Sequence, residues 1–356
     1  MTEQKNEHNK EGRPTLDYPC GDAPETGSAH QVAPGVLWIR MPMPMALSHI
    51  NLWAIQDGSG WAIVDTGLQT SDTTAAWRKL FSGPLNSGAK RVLVTHMHPD
   101  HVGMAGWLTR KFDCRLWMTR LEYLTCRTLV ADTGREAPED GVRFYRKAGW
   151  DDDAIEHYRT RFGNFGKMTH ALPDSYRRLQ DKELIIIGEH QWTVVVGNGH
   201  SPEHACLYCP DLKLLISGDQ VLPRISSNVS VFPTEPDADP LEDWMASLEK
   251  LKREVPNDVL VLPAHNEPFR GLHERLDYLA SSQANALERL RTALQQPKRA
   301  VDVFSTLFSR QITPGDHSLL GLATGESIAH LNYLIHRGEA MKQLDDDGVA
   351  WYRIVC

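Results

Sequence analysis

Five short apolar runs in this chain end in metal-capable residues. "AIVDTG" closes on Asp65, "RVLVTHMHPDH" on His96 to His101, "VVVGNGH" on His200, "LLISGD" on Asp219 and "VLVLPAH" on His265. Such runs, bounded by Gly, Pro and Asn, read as buried strands. Open α/β sheets expose their sites at the carboxyl ends of strands. A single histidine of this kind is usually a solvated loop residue. Five strand ends carrying histidine or aspartate require a fold that gathers them at one edge.

The chain has 356 residues, 41% of them hydrophobic and 24% charged, which is enough for one large domain or two ordinary ones with a real core. Its net charge of -8 argues against a nucleic-acid partner and leaves a small-molecule substrate. The six cysteines are scattered and make no disulfide framework, so a cytoplasmic location is expected. Cys206 and Cys209 form a C-x-x-C, but "ACLYC" alternates like a strand and has no second pair nearby. No apolar run approaches the length of about 18 residues needed to span a membrane, and "MTEQKNEHNKEGRP" lacks the apolar core of a signal peptide.

Residues 1–32 read as a disordered polar tail and 33–267 as the α/β catalytic domain. Within it, residues 117–180 read as a helical insertion, because "LEYLTCRTLV", "VRFYRKAGW" and "DDAIEHYRTRFGNFGKM" carry helical spacing and no strand run. Residues 268–356 read as a small helical C-terminal domain closed by a hairpin. From residue 266 onward there are ten Lys or Arg and eleven Asp or Glu, so that domain has no basic excess. It is expected to wall the substrate cleft or to make an oligomer contact, such as a homodimer face.

The ligand types point to two divalent ions, with zinc the leading expectation and iron or manganese allowed by the same donors. His96 and His98 lie two apart, so on extended backbone they share a face. Asp100 and His101 lie past Pro99 and swing to a neighbouring position. One set is then His96, His98 and His200, the other Asp100, His101 and His265, with Asp219 able to bridge. Two such ions would share a water of lowered pKa. Asp65 is expected to orient the ligands from outside the set.

"THMHPDHVG" matches the H-x-H-x-D-H signature of the metallo-β-lactamase fold, and "VDTG", "GHSPEH", "SGDQ" and "PAHNEP" match its other motifs in order. The resemblance covers residues 33–267 and implies an αββα sandwich with a binuclear site at one edge. It implies the two ligand sets above, with Asp219 bridging. A full second set without cysteine resembles the glyoxalase-II-like and lactonase branches. The C-terminal part resembles the winged-helix-like domain of lactamase-beta-2-like hydrolases, on "AHLNYLIHRG" and hydrophobic pattern. The reaction implied is hydrolysis of an ester, thioester or lactone, with Asp100 orienting the nucleophile and taking its proton. The alternatives are a nuclease or phosphodiesterase and a mono-iron persulfide dioxygenase-like enzyme.

"GHSPEH" departs from many relatives at Glu203, whose carboxylate would repel an anionic substrate or bind a cationic one. His204 beside it is expected to support the ligands or to touch substrate. If the insertion is a lid, Tyr145, Trp150, Phe162 and Phe165 line an apolar pocket, with the glycines of "FGNFGKM" as hinges. Arg224 and Asn228, just past Asp219, are expected to reach the substrate.

Overall fold

The computed structural model describes residues 14–44, 47–312 and 316–355. Its first sheet holds seven strands in sequence order, β1 (Ala29–Ala33), β2 (Val36–Pro42), β3 (His49–Asp57), β4 (Gly60–Val64), β5 (Ala89–Leu93), β6 (Arg115–Met118) and β7 (Arg177–Arg178). β1 to β4 pair antiparallel, and β4 to β7 pair parallel. The second sheet holds β8 (Leu184–Ile187), β9 (His190–Gly197), β10 (His204–Cys209), β11 (Leu214–Gly218) and β12 (Leu260–Pro263), antiparallel except for β11 with β12.

Among the described residues ten α-helices fill the connections. α1 (Ser71–Phe81), α2 (Pro99–Val102) and α3 (Ala105–Phe112) belong to the first half. α4 (Arg120–Ala131), α5 (Glu139–Ala148) and α6 (Asp152–Arg161) lie between β6 and β7. α7 (Pro240–Glu254) precedes β12; α8 (Leu272–Ala293), α9 (Phe304–Leu307) and α10 (His317–His336) follow it. The hairpin β13 (Ala340–Leu344) and β14 (Ala350–Ile354) ends the chain.

The strand alternation sorts side chains into three cores. Even positions Val36, Trp38, Ala62 and Val64, with Trp192, Val194, Leu207, Ile216 and Leu262 of the second sheet, form the core between the sheets. Their neighbours Ile39, Met41 and Ile63 turn outward onto Trp77, Leu80 and Leu108 of α1 and α3. Val195, Cys206, Leu215 and Val261 turn the other way onto Trp244, Leu248 and Leu251 of α7. Period-two patterning thus builds an αββα sandwich, and each fully buried Leu or Ile contributes about 1.5–3 kcal/mol. Leu276, Leu290, Leu331 and Tyr352 of the C-terminal part join that same outer core.

Two expectations need correction. The tail over 1–32 holds an ordered part: β1 is an edge strand on β2, and Asp17 bridges to Arg270, because extended backbone beside an open sheet edge pairs with it. Residues 1–13 lie outside the described residues. The insertion is helical from α4 to a 3-10 turn at Phe165–Lys167, but 117–118 and 177–178 belong to β6 and β7, too short to register as strand runs.

Candidate metal centre

β5 runs to Leu93 and its chain continues through Val94 and Thr95 to His96. Pro99, at the first position of α2, stops the extended run and turns Asp100 and His101. β9 ends at Gly197 and leads to His200. β11 ends at Gly218 before Asp219, and β12 ends at Pro263 before His265. All seven side chains arrive at the same edge of the sandwich. Ligand-capable atoms of His96, His98, His200 and Asp219 lie within 4.8 Å of one another, and so do those of Asp100, His101 and His265.

The outward-facing partners fix which ring nitrogen is free. His200 Nδ1 donates to Asn228 O (2.7 Å), and His265 Nδ1 donates to His49 O (3.0 Å). His101 Nδ1 donates to Asp65 Oδ2 (2.8 Å). Thr95 Oγ1 gives its proton to Asp65 (2.9 Å) and can therefore accept from His96 Nδ1 (3.1 Å). With Nδ1 donating to an oxygen in all four, each of these rings in its neutral form presents a lone pair on Nε2.

Those lone pairs converge. His96 Nε2 is 2.8 Å from His98 Nδ1 and 3.3 Å from His200 Nε2. His101 Nε2 and Asp219 Oδ1 are both buried without a hydrogen-bond partner, and they face each other at 3.6 Å. His265 Nε2 lies 3.4 Å from Asp100 and 3.5 Å from Asp219. Buried acceptors directed at one another are a costly arrangement that a cation satisfies. The donor set of imidazole and carboxylate fits a divalent metal ion.

Protonation agrees. Burial and then the neighbouring imidazoles hold His96 well below the usual histidine range, and burial and His200 hold His98 at about 3. For Asp219, burial opposes ionisation, but His265 and His101 outweigh it and hold the carboxyl well below its ordinary value. Neutral imidazoles and ionised carboxylates are the forms that bind metal.

The supporting residues include several the sequence did not single out. Asp65 adopts φ 60° and accepts Thr95 N (2.8 Å) as well as His101 Nδ1 (2.8 Å). His204 is fully buried, and its Nε2 accepts Asp219 N (3.1 Å), so it holds the Asp219 peptide and leaves its ring free of substrate. Gly218, at φ 50°, permits this, since a Cβ there would lie 2.6 Å from the His204 ring. Glu122 on α4 was missed. Its buried carboxylate accepts Met97 N (2.8 Å) and Glu203 N (2.7 Å), tying the His96–His98 segment to the segment after His200. Asn51 was missed too, and its side chain donates to Pro263 O (3.0 Å) and Asn266 O (2.6 Å) on either side of His265.

Other expectations are corrected. Glu203 does not face substrate: its carboxylate accepts Leu121 N (2.8 Å) and caps α4, where an anion complements the helix dipole. The Asn228 carbonyl accepts from His200 Nδ1, and its amide donates to Glu326 (2.7 Å). Arg224 is paired with Glu267 (2.9 Å) and lies over the Tyr18 ring. Tyr145 stacks on Trp150 (4.1 Å) against the outer core, and Trp150 donates to Thr324 of α10 (2.9 Å). Phe162 lies 6.0 Å from Tyr158, and Phe165 packs on the core beneath α1 and α3. Among the described residues none of these four aromatics makes a ring contact with a ligand histidine. Gly163 and Gly166 are not hinges; a Cβ at either would collide with Asp132 or Thr133 at the end of α4, so they allow close packing. Cys206 and Cys209 face opposite sides of the second sheet and cannot share an ion.

Seven side chains able to hold metal, at one edge of an αββα sandwich, point to a class of metal-dependent hydrolases. The profile of the metallo-beta-lactamase superfamily matches residues 46–265, and that of the metallo-beta-lactamase-like C-terminal domain matches 287–355. The chain belongs to the metallo-beta-lactamase superfamily. A crystal structure of a beta-lactamase domain protein from Burkholderia ambifaria superposes with a TM-score of 0.87 at 39% identity, covering 96% of this chain and 98% of that one. A probable metallo-hydrolase from Bacillus subtilis is 25% identical over 84% of this chain and 92% of its own length. A human acyl-coenzyme A thioesterase is 26% identical over 70% of this chain and 83% of its own length. Among the described residues no helix is long and apolar enough to cross a membrane.

Proposed function

We propose that this chain is a binuclear metal hydrolase that cleaves an acyl thioester, with esters and lactones as neighbouring substrates. The observation that carries this reading is the complete second set, Asp100, His101 and His265, beside the first. His96, His98 and His200 would hold one ion and Asp100, His101 and His265 the other, with the Asp219 carboxylate available to both. Two zinc ions there would supply Lewis acidity and a water of near-neutral pKa.

The chain's own residues do the rest. Burial raises the Asp100 carboxyl, but His101 and His265 more than offset this, so it stays ionised. It is the group assigned to orient the attacking water, accept its proton and return that proton to the leaving thiolate. The Nδ1 hydrogen bonds of His96, His101, His200 and His265 keep the rings from rotating, which preorganises the site. The likeness to a human acyl-coenzyme A thioesterase supports the thioester as the bond. A full second set disfavours a mono-iron dioxygenase, and the acidic chain disfavours a nuclease.

The test is metal analysis of the purified protein together with turnover of an acyl thioester, an aryl ester, a homoserine lactone, a β-lactam and a phosphodiester. Two zinc equivalents with thioester turnover abolished in His98→Ala are expected. A single iron with oxygen uptake, or phosphodiester turnover alone, refutes the reading.

A further inference from the structure

The inner face of the first sheet changes character towards the metal edge. On β2 the inner positions run Val36, Trp38 and then Arg40; on β3 they run Ile55, Trp53 and then Asn51 and His49. Arg40 and Asn51 are direct cross-strand partners. Asn51 wraps the His265 segment, its backbone N–H donating to Ala264 O (2.7 Å) and its side chain to Pro263 O and Asn266 O. His49 O receives His265 Nδ1. The polar end of this face therefore lies against the second ligand set.

Two nitrogens on this face, Arg40 Nε and His49 Nε2, are buried with no hydrogen-bond partner among the described residues. The Arg40 guanidinium stands 5.7 Å from the Trp38 ring. Its nearby carboxylate, Glu267, is hydrogen-bonded to Arg224 instead. Asp100 and Asp219 turn towards the histidines. A half-buried guanidinium whose Nε has no acceptor among the described residues is unusual, because its fork matches the two coplanar oxygens of a carboxylate. A planar carboxylate meets such a fork with two parallel hydrogen bonds.

We infer that Arg40, with His49 beside it, is a subsite for a carboxylate on the substrate, a few atoms from the bond that is cleaved. The inference rests on the hydrolase reading for the word substrate, but the subsite itself can be tested by binding alone. The carboxylate can belong to the acyl group, as in a dicarboxylic monothioester, or to the thiol.

Calorimetry on the zinc-loaded protein would compare acetate, succinate and inorganic phosphate, using wild type, Arg40→Met and Arg40→Lys. Each variant's zinc content and near-ultraviolet circular dichroism report its fold; should Arg40→Met not fold, Arg40→Lys decides. Succinate should bind roughly ten- to hundredfold more tightly than acetate, the size of a charge-assisted pair. That ratio should collapse in Arg40→Met and fall partway in Arg40→Lys, which lacks the fork. An unchanged ratio in the variants, or phosphate binding ahead of succinate, overturns the subsite. A kinetic arm sets a succinyl thioester of a neutral thiol against a butyryl thioester of a carboxylate-bearing thiol. Arg40-dependent preference for the first supports an acyl-side carboxylate, and preference for the second supports a thiol-side one. Turnover without preference overturns the subsite. An Arg40-dependent succinate preference with no thioester turnover upholds the subsite and overturns the hydrolase reading instead.

Discussion

Glu122→Gln changes one atom and tests the idea that a buried carboxylate holds the two ligand segments together. Glu122 is fully buried, and its two oxygens accept one backbone N–H each, from Met97 and from Glu203. Burial raises its carboxyl above the ordinary value, while Ser201 and those two N–H donors pull the other way. Glutamine keeps the shape but offers one oxygen, so one buried N–H must face an NH2 group. An unsatisfied buried donor costs about 1–3 kcal/mol, and here two donors are left opposed, which gives roughly 2–6 kcal/mol. That is a large share of a typical folding stability of about 5–15 kcal/mol. Met97 sits between two ligands and Glu203 three residues after another, so metal affinity should fall by roughly ten- to hundredfold as well. Urea denaturation of the metal-free protein reads the first quantity, and competition with a zinc-binding dye reads the second. A variant within about 0.5 kcal/mol of wild type, the range of an ordinary surface change, with unchanged zinc affinity would refute the reasoning.

Asp65→Asn should leave the fold intact but weaken zinc binding by roughly ten- to hundredfold, because an amide cannot accept from both Thr95 and His101 as the carboxylate does; dye competition measures it. Gly218→Ala should cost several-fold in metal content, since its Cβ would push on the His204 ring that holds the Asp219 peptide, and elemental analysis reads the result. His265→Ala should reduce bound zinc from two equivalents towards one. Burial raises the Glu326 carboxyl to about 7, with the Asn228 hydrogen bond acting against it. A raised folded pKa gives stability that is full below the ordinary carboxyl range and lost as pH rises through about 7. Between pH 5 and 8, wild type should lose up to about 3 kcal/mol that Glu326→Gln retains, seen in denaturation curves across that range.

The metal edge was legible because its chemistry is local in sequence. His96, His98, Asp100 and His101 lie within one short segment, and the remaining ligands each follow an apolar strand run. The sandwich followed from the family resemblance, and the alternation of its strands accounts for the three cores. What the sequence could not reveal were the contacts that bind those strand ends to each other. Glu122 is 25 residues from Met97 and 81 from Glu203, and Asn51 is 215 from Asn266; nothing in their neighbours marks them. Glu203 looked like a substrate group because it sits next to a motif, yet the start of α4, far away in sequence, accounts for it. The aromatics of the insertion carried no sign of which core would take them. β1 was read as tail because its pairing partner, not its composition, makes it a strand.

The outer core beneath the second sheet has a further consequence. Val195, Cys206, Leu215, Val261 and Trp244 share it with Leu276, Leu290, Leu331 and Tyr352 from beyond residue 267. The last quarter of the chain is therefore less an appendage than one wall of the building. A chain cut after residue 267 would uncover a broad apolar face on the second sheet and on α7, which is a surface that seeks partners. It would also lose Glu326, the side chain that takes the Asn228 amide behind His200. Shortening this protein would thus yield an aggregating fragment with a loosened metal ligand, and not a smaller enzyme.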